Sequence, residues 1–266
     1  MKLPIDSIET KKHNLFILLC GFFVTNALVA EMVGIKIFSA EGTLGLSPAN
    51  INLFGTVFSF NLTVGVALWP FVFITTDIIN EYYGKAGVRK ISVFTCGLIA
   101  YGFLIIGLAT LLEPAKFWLE NNKTDSEGNP FNIHAAYNSI FRQGMGIIVA
   151  SLTAFLIGQL VDVYFFQKLR KLSNGKMLWL RATGSTMVSQ LIDSFVVLFI
   201  AFYALGNWSL LLVLQVGVMN YIAKGILAVL LTPLLYFVHA AIDKYLGKAE
   251  AEKIIEEAAQ SSDKLF

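Results

Sequence analysis

Charge is scarce in this 266-residue chain: Asp, Glu, Lys and Arg make up 14% of it, where a soluble domain carries about 25%. That scarcity excludes an ordinary water-soluble domain. Cysteine is limited to Cys20 and Cys96, both inside apolar runs, where they behave as small buried hydrophobes with no metal-ligand spacing. His13, His134 and His239 lie far apart and form no paired motif. The chain has no Gly-x-Ser-x-Gly elbow, no His-Glu-x-x-His, no Walker A loop and no Cys-x-x-Cys, so no enzyme class is indicated and neither cofactor nor metal is expected. A net charge of +2 gives no reason to expect a nucleic-acid partner.

Apolar sequence is what the chain has in excess. Hydrophobic residues make up 56% of it, with 22 Phe. Six runs, at residues 14–38, 58–82, 91–112, 144–166, 178–203 and 210–239, are long enough to span a bilayer. Backbone groups in hydrocarbon must be satisfied within the segment, so each run predicts a helix. A membrane barrel would need short alternating segments instead. The expected fold is an all-α membrane protein with six transmembrane helices.

Orientation follows from the basic residues. Lys2, Lys11 and Lys12 precede the first run, and Lys85, Arg89 and Lys90 follow the second. Lys168, Arg170, Lys171, Lys176 and Arg181 follow the fourth, and Lys244, Lys248, Lys253 and Lys264 lie in the tail. Only Lys116, Lys123 and Arg142 fall in the opposite connections, beside four acids in 113–143. The bias predicts that both the N- and C-termini are cytoplasmic. The first run lacks an Ala-x-Ala cleavage site and continues through Glu31 and Lys36, which predicts a retained helix rather than a signal peptide. Residues 1–239 form the expected transmembrane domain. The tail, 240–266, reads as a cytoplasmic amphipathic helix capping the end in solvent.

Against this apolar background the embedded polar residues stand out. A carboxylate at the centre of a membrane helix costs roughly 2.5–3.5 kcal/mol on insertion scales, and such groups face the bundle interior. Trp69, Phe73, Asp77 and Glu81 are spaced four apart and share one helix stripe, with Asn80 beside it. Glu81 precedes Lys85 by four, which allows an interfacial ion pair. Asp77 lies about 6 Å deeper, at 1.5 Å per residue, and is the stronger binding candidate. Gly158-Gln-Leu-Val-Asp162 and Ser189-Gln-Leu-Ile-Asp193 repeat one pattern, putting Gln159 with Asp162 and Gln190 with Asp193 on shared faces. The match could be a vestige of an inverted duplication or chance. Ser185 belongs to a dense cluster of small hydroxylated residues at 183–189, suited to helix packing or to binding. Lys224 sits deep in the last run four residues after Asn220, and one of the aspartates is its expected partner, in a structural bridge or at a substrate site. Lys36, near the outer boundary, can snorkel.

Carboxylates beside amides and aromatics suit a flat polar molecule. A carboxylate accepts from the N–H and amine of a guanine-like edge, an amide donates to its carbonyl, and Trp or Phe stacks on the ring. The same carboxylates can carry protons through a transport cycle.

Three stretches, TDIINEYYGKAGVRK (76–90), GQLVDVYFF (158–166) and LRATGSTMVSQLIDSFVVLFIAF (180–202), resemble the queuosine precursor transporters, a vitamin-uptake-type family. The chain departs from that pattern at Tyr82, where an aliphatic residue is usual. The resemblance implies six helices in a bacterial inner membrane. It implies uptake of 7-deazaguanine bases, cyano or aminomethyl, that serve queuosine tRNA modification. Asp77, Asn80, Glu81, Gln159, Asp162, Arg181, Ser185, Gln190 and Asp193 fall within the matching motifs; Trp69 and Lys224 join them as candidates on chemical grounds. The expected partners are the base, protons, the bilayer and, as an open option, further copies of the chain. The alternative function is the substrate-binding subunit of an energy-coupling-factor vitamin importer. Such subunits tend to carry an Ala-x-x-x-Ala docking pattern on the first helix, and here Ala27 and Ala30 are three apart. An intramembrane aspartyl hydrolase would need a surrounding signature that is missing.

Overall fold

A computed structural model describes residues 7–34, 36–53, 55–174, 176–204 and 207–263; Lys2 and Lys264, counted above for orientation, lie outside the described residues. In chain order the elements are α1 (Ile8–Val33), β1 (Ile37–Ser39), α2 (Ala40–Thr43), β2 (Ile51–Leu53), β3 (Thr56–Phe58), β4 (Asn61–Thr63) and a 3-10 turn (Val64–Ala67). Then come α3 (Trp69–Ala109), α4 (Lys116–Asn121), α5 (Ile133–Leu172), α6 (Leu178–Leu198) with a π-helical extension (Phe199–Ala204), α7 (Leu210–Leu230), α8 (Thr232–Leu246) and α9 (Lys248–Asp263).

Caps written in the sequence start several of these helices. Ser7 Oγ accepts the Thr10 amide at 3.2 Å and Asn132 Oδ1 the Ala135 amide at 3.0 Å, while Ser209 Oγ accepts the Leu212 amide at 3.2 Å. Each satisfies one of the orphaned first-turn donors. Pro70 and Pro233 occupy first-turn positions, where a missing N–H costs nothing.

Among the described residues, five helices are long and apolar enough to cross a membrane: Ile8–Val33, Val64–Ala109, Ile148–Leu172, Leu178–Ala204 and Leu210–Leu230. Large apolar side chains such as Leu18, Phe94, Tyr101, Leu104 and Leu160 are exposed on their outer faces, as lipid contact requires. The protein is a multi-pass membrane protein. Five such helices appear instead of six because the second and third apolar runs join in α3, 41 residues long and broken only at Gly84, with φ 66° and ψ −172°.

Contacts with α1 reveal that α3 doubles back at this glycine. The early part of α1 meets the turn: Tyr83 Oη donates to Lys12 O at 2.6 Å, and the Phe16 and Tyr83 rings are 4.8 Å apart. Its late part meets both far ends, since a Cβ at Gly65 would lie 3.1 Å from Ala30 O and one at Gly102 3.9 Å from Leu28. Gly84 supplies the positive φ that other residues rarely adopt. Gly87 makes the reversal possible sterically, since a Cβ there would stand 2.6 Å from the Tyr83 Cβ.

Two other boundaries differ from the sequence expectation. The second apolar run begins in strand and 3-10 structure, with β1 paired antiparallel to β4 and β2 to β3, and its helix starts only at Trp69. Glu41 ties this cap together, its Oε1 accepting the Phe60 amide at 2.8 Å and the Ala49 amide at 3.2 Å. The Phe60 amide holds the Glu41 carboxyl below its ordinary range, against the opposing effect of burial. The last run breaks at Leu231, ahead of Pro233, into α7 and α8.

Beyond α8 the tail helix docks instead of standing in solvent. Ala251, Ile254 and Ala258 of α9 are buried, and the first two join the core cluster that holds Val88 and Ile91 of α3. Tyr82 ties α3 to α8, its hydroxyl donating to Asp243 Oδ1 at 2.7 Å beside His239 Nδ1 at 3.3 Å. The unusual residue in the motif is therefore a fastening point.

Candidate functional site

The embedded polar groups form a ladder along α5. Ser151, Gln159, Asp162 and Arg170 fall within about 100° of one another at 100° per residue, and Gln167 flanks the stripe. From Ser151 to Arg170 the helix rises about 28 Å at 1.5 Å per residue, close to a full hydrocarbon core. Each rung bonds a polar partner on another helix.

At the first rung, the Ser151 hydroxyl donates to Glu31 of α1. Further along, Lys224 of α7 donates to Asp193 Oδ2 of α6 at 2.5 Å, with both side chains nearly enclosed. The expected partnership of Lys224 with an aspartate is met by Asp193. At the middle rungs, Thr76 donates to Gln159 Oε1 at 3.2 Å and Ser189 to Asp162 Oδ1 at 3.1 Å. Asp77 lies within electrostatic reach of Asp162 and beside the Thr186 hydroxyl. Lower still, Gln167 Nε2 donates to Asn80 Oδ1 at 2.7 Å. Here Arg181 holds both oxygens of Glu81, Nη2 to Oε1 at 2.6 Å and Nε to Oε2 at 3.1 Å, with Arg170 Nη1 3.8 Å from Oε2.

That pair corrects the sequence expectation for Glu81. It is 2% exposed and engages a cation one hundred positions away on α6, so it is a buried inter-helix bridge and not a solvated interfacial pair. Bidentate Arg–carboxylate geometry is among the strongest polar contacts available. Arg181 also lies 5.8 Å over the Phe166 ring.

Several buried atoms in the middle make no hydrogen bond with the described residues: Asp77 Oδ1, Gln159 Nε2, Asp162 Oδ2 and Gln190 Oε1. Asn80 Nδ2 and Asn220 Oδ1 share that condition. Leaving such a group without a partner costs about 1–3 kcal/mol, more for a charge. A narrow cleft with about 20 Å³ of free space runs beside them, lined by Phe73, Asp77, Thr186, Gln190, Lys224 and Leu235 among others. That is room for about one water, so the helices around it must part before a small ligand can enter.

A second, larger and more open space of about 510 Å³ lies at the α5–α9 end, walled by Glu81, Gln167, Arg170, Lys171, Glu252 and Glu256 among others. Arg170 Nη2 donates to Ile255 O of α9 at 3.0 Å across it. The Glu81–Arg181 bridge stands between the two spaces, since Asp77 lines one and Glu81, one turn on, lines the other.

Asp77, Gln190 and Lys224 therefore meet at the cavity, while Gln159 and Asp162 stand behind it on α5. Ser185 is fully buried beside Asp162, with its hydroxyl donating to Ala182 O at 3.1 Å. Trp69 is the exception: it packs at the end of α3, 5.7 Å from Phe155 and 6.3 Å from Phe73, away from the cavity wall. Sequence spacing alone does not reveal Ser151, Thr76, Gln167 and Arg170 as partners. One signal was available, for Arg170 lies eight residues after Asp162 and so on the same face of α5.

With this geometry in view, three comparisons bear on the chain. The profile of the family described as "Putative vitamin uptake transporter" matches residues 63–238. A "Probable queuosine precursor transporter" of Bacillus subtilis (strain 168) is 28% identical over 231 residues, 81% of this chain and 93% of that protein. One of the same name from Haemophilus influenzae is 30% identical over 65% of this chain and 66% of its own length. The "Queuosine precursor transporter" of Escherichia coli (strain K12) is 26% identical over 56% of this chain and 58% of its own. No solved structure matches.

Proposed function

The chain belongs to the vitamin uptake transporter family, and we propose that it imports queuosine precursor bases of the 7-deazaguanine type, cyano or aminomethyl, across the bacterial inner membrane. The observation that carries this reading is the set of buried, unpartnered polar atoms at mid-ladder: Asp77 Oδ1 and Gln190 Oε1 from the residues lining the cleft, with Gln159 Nε2 and Asp162 Oδ2 behind them, to be reached as the cleft widens. A flat base with an N–H, an exocyclic amine and a carbonyl on one edge complements such a set. Phe73, on the cavity wall, is placed to stack on its ring. Relatives named for queuosine precursors support the same choice.

The chain crosses the membrane six times in this reading, the two arms of α3 counting separately, with both termini cytoplasmic. The cavity then receives the base from outside, and the space beneath α9 is its exit. Between them the Glu81–Arg181 bridge acts as the inner gate, with Arg170 joining the gate to α9. Release requires that bridge to part, which low-dielectric surroundings make a discrete step. The partnered-importer alternative gains nothing from α1, since Ala27 and Ala30 are buried at 0% and 1% and offer no docking face. No turnover chemistry is invoked.

The test is uptake. Cells blocked in precursor synthesis but expressing this chain are expected to form queuosine-tRNA from low external base, and Asp77→Ala to abolish it at unchanged protein level. Full uptake by Asp77→Ala would show that the cargo is held elsewhere.

A further inference from the structure

Glu31 does not belong to the cargo site, yet it is a carboxylate inside a membrane helix. It lies in the last turn of α1, away from the cavity lining. Its hydrogen-bond partner is the Ser151 hydroxyl of α5, a group able to donate to a carboxylate and equally to accept from a carboxylic acid. The groups that act on it from the packed elements are Asp193 of α6, Lys224 of α7 and Cys96 on the second arm of α3. Of these, Lys224 also lines the cargo cavity and is bridged to Asp193. Glu31, Asp193 and Lys224 together carry two negative charges against one positive, so a single proton makes the cluster neutral.

We infer that Glu31 is the proton-coupling site of the transporter: it takes one proton from the outer side for each base imported, and Lys224 relays its charge state to the cavity. This rests on the import reading and on the orientation proposed above. The step needs no co-reactant: the proton moves from bulk water to a Glu31 carboxylate oxygen and is later returned to water on the cytoplasmic side. When Glu31 is ionised it competes with Asp193 for the field of Lys224. Once protonated it leaves the Lys224–Asp193 bridge undisturbed beside the bound base. Embedded carboxylates near a cation recur as proton relays in pumps and transporters.

The experiment uses the full chain in vesicles with an imposed pH gradient, following radiolabelled aminomethyl and cyano deazaguanine separately. Wild type is expected to accumulate base with acid outside, one pH unit raising the accumulation ratio by up to about tenfold, and to lose accumulation on adding a protonophore. Glu31→Gln, which preserves a hydrogen-bonding group opposite Ser151, should lose accumulation while still exchanging labelled for unlabelled base at near wild-type rate. Ser151→Ala is expected to shift the pH profile of uptake while leaving exchange intact. If wild type accumulates base regardless of pH, or Glu31→Gln keeps the full response, this inference fails while import stands. If wild type takes up neither base, the import reading fails and this inference with it.

Discussion

Gly158–Asp162 on α5 and Ser189–Asp193 on α6 carry one pattern and meet opposite fates. They pack head to tail around a local two-fold: a Cβ at Gly158 would lie 3.7 Å from that of Asp193, and Ser189 donates to Asp162 at 3.1 Å. The first position of each segment therefore faces the last position of the other. Surroundings then separate them. On one side α7 delivers Lys224 to Asp193; on the other, α3 delivers Asp77 to Asp162, and only hydroxyls answer it. The aspartate with a cation is held in a bridge, and the one without keeps an oxygen that makes no hydrogen bond with the described residues.

Removing a single charge from the bridged half is expected to have the largest effect. Asp193→Ala leaves Lys224 buried without its counter-ion, a loss of about 3–5 kcal/mol, visible as a sharp fall in thermal stability in detergent. Adding Lys224→Met should restore most of that stability. A double variant no better than the single would mean the bridge is not what Asp193 holds.

In the open half, uptake and stability should part company. Asp162→Asn keeps shape and removes charge, and is expected to cut uptake roughly 10- to 100-fold, the value of a charged hydrogen bond of about 1.5–3 kcal/mol. Its melting temperature should stay near wild type. An equal loss of stability in Asp162→Asn and Asp193→Ala would erase the distinction drawn here.

Gly158→Ser makes the two segments more alike by placing a hydroxyl beside Asp193. The contact distance leaves room, and helix propensity gains about 0.5 kcal/mol, so a stable protein with uptake reduced only a few-fold is expected. Smallest of all should be Glu41→Gln, which touches neither segment. The wild-type carboxyl is held low by the Phe60 amide, so its contribution is present at neutral pH and is lost as pH falls through its depressed titration range. The protection factors of the Ala49 and Phe60 amides, corrected for the intrinsic pH dependence of exchange, should therefore fall in acid for wild type and stay flat in the variant.

Much of this was legible in local pattern. The apolar runs marked the membrane segments, and helical spacing put Gln159 with Asp162 and Gln190 with Asp193. The partner of Lys224 was correctly sought among the aspartates. What escaped was set by distance along the chain or by fine geometry. Glu81 has Lys85 four residues away, but its bridge is to Arg181 on another helix, which an i,i+4 rule cannot find. Lys85, Arg89 and Lys90 suggested a loop, yet they are good helix formers, and a single glycine turns the chain within continuous helix. The start of the second run was misjudged because β3 and β4, with Val57, Phe58 and Leu62, are as apolar as a helix. Pro233 is the sequence sign of the α7–α8 break, since a proline interrupts the helical hydrogen-bond ladder.

The turn at Gly84 also works as a pivot. The first arm of α3 is a stiff rod anchored at one flexible residue, with Glu81, Asp77 and Trp69 at rising distances from it. Taking 1.5 Å per residue, a rotation of about 10° would move Glu81 by under ~1 Å, Asp77 by about 2 Å and Trp69 by about 4 Å. Displacement thus grows towards the end remote from the Arg181 bridge. A small swing at one glycine would widen the far side of the cleft beside Asp77 while the Glu81–Arg181 bridge beside the pivot stays closed.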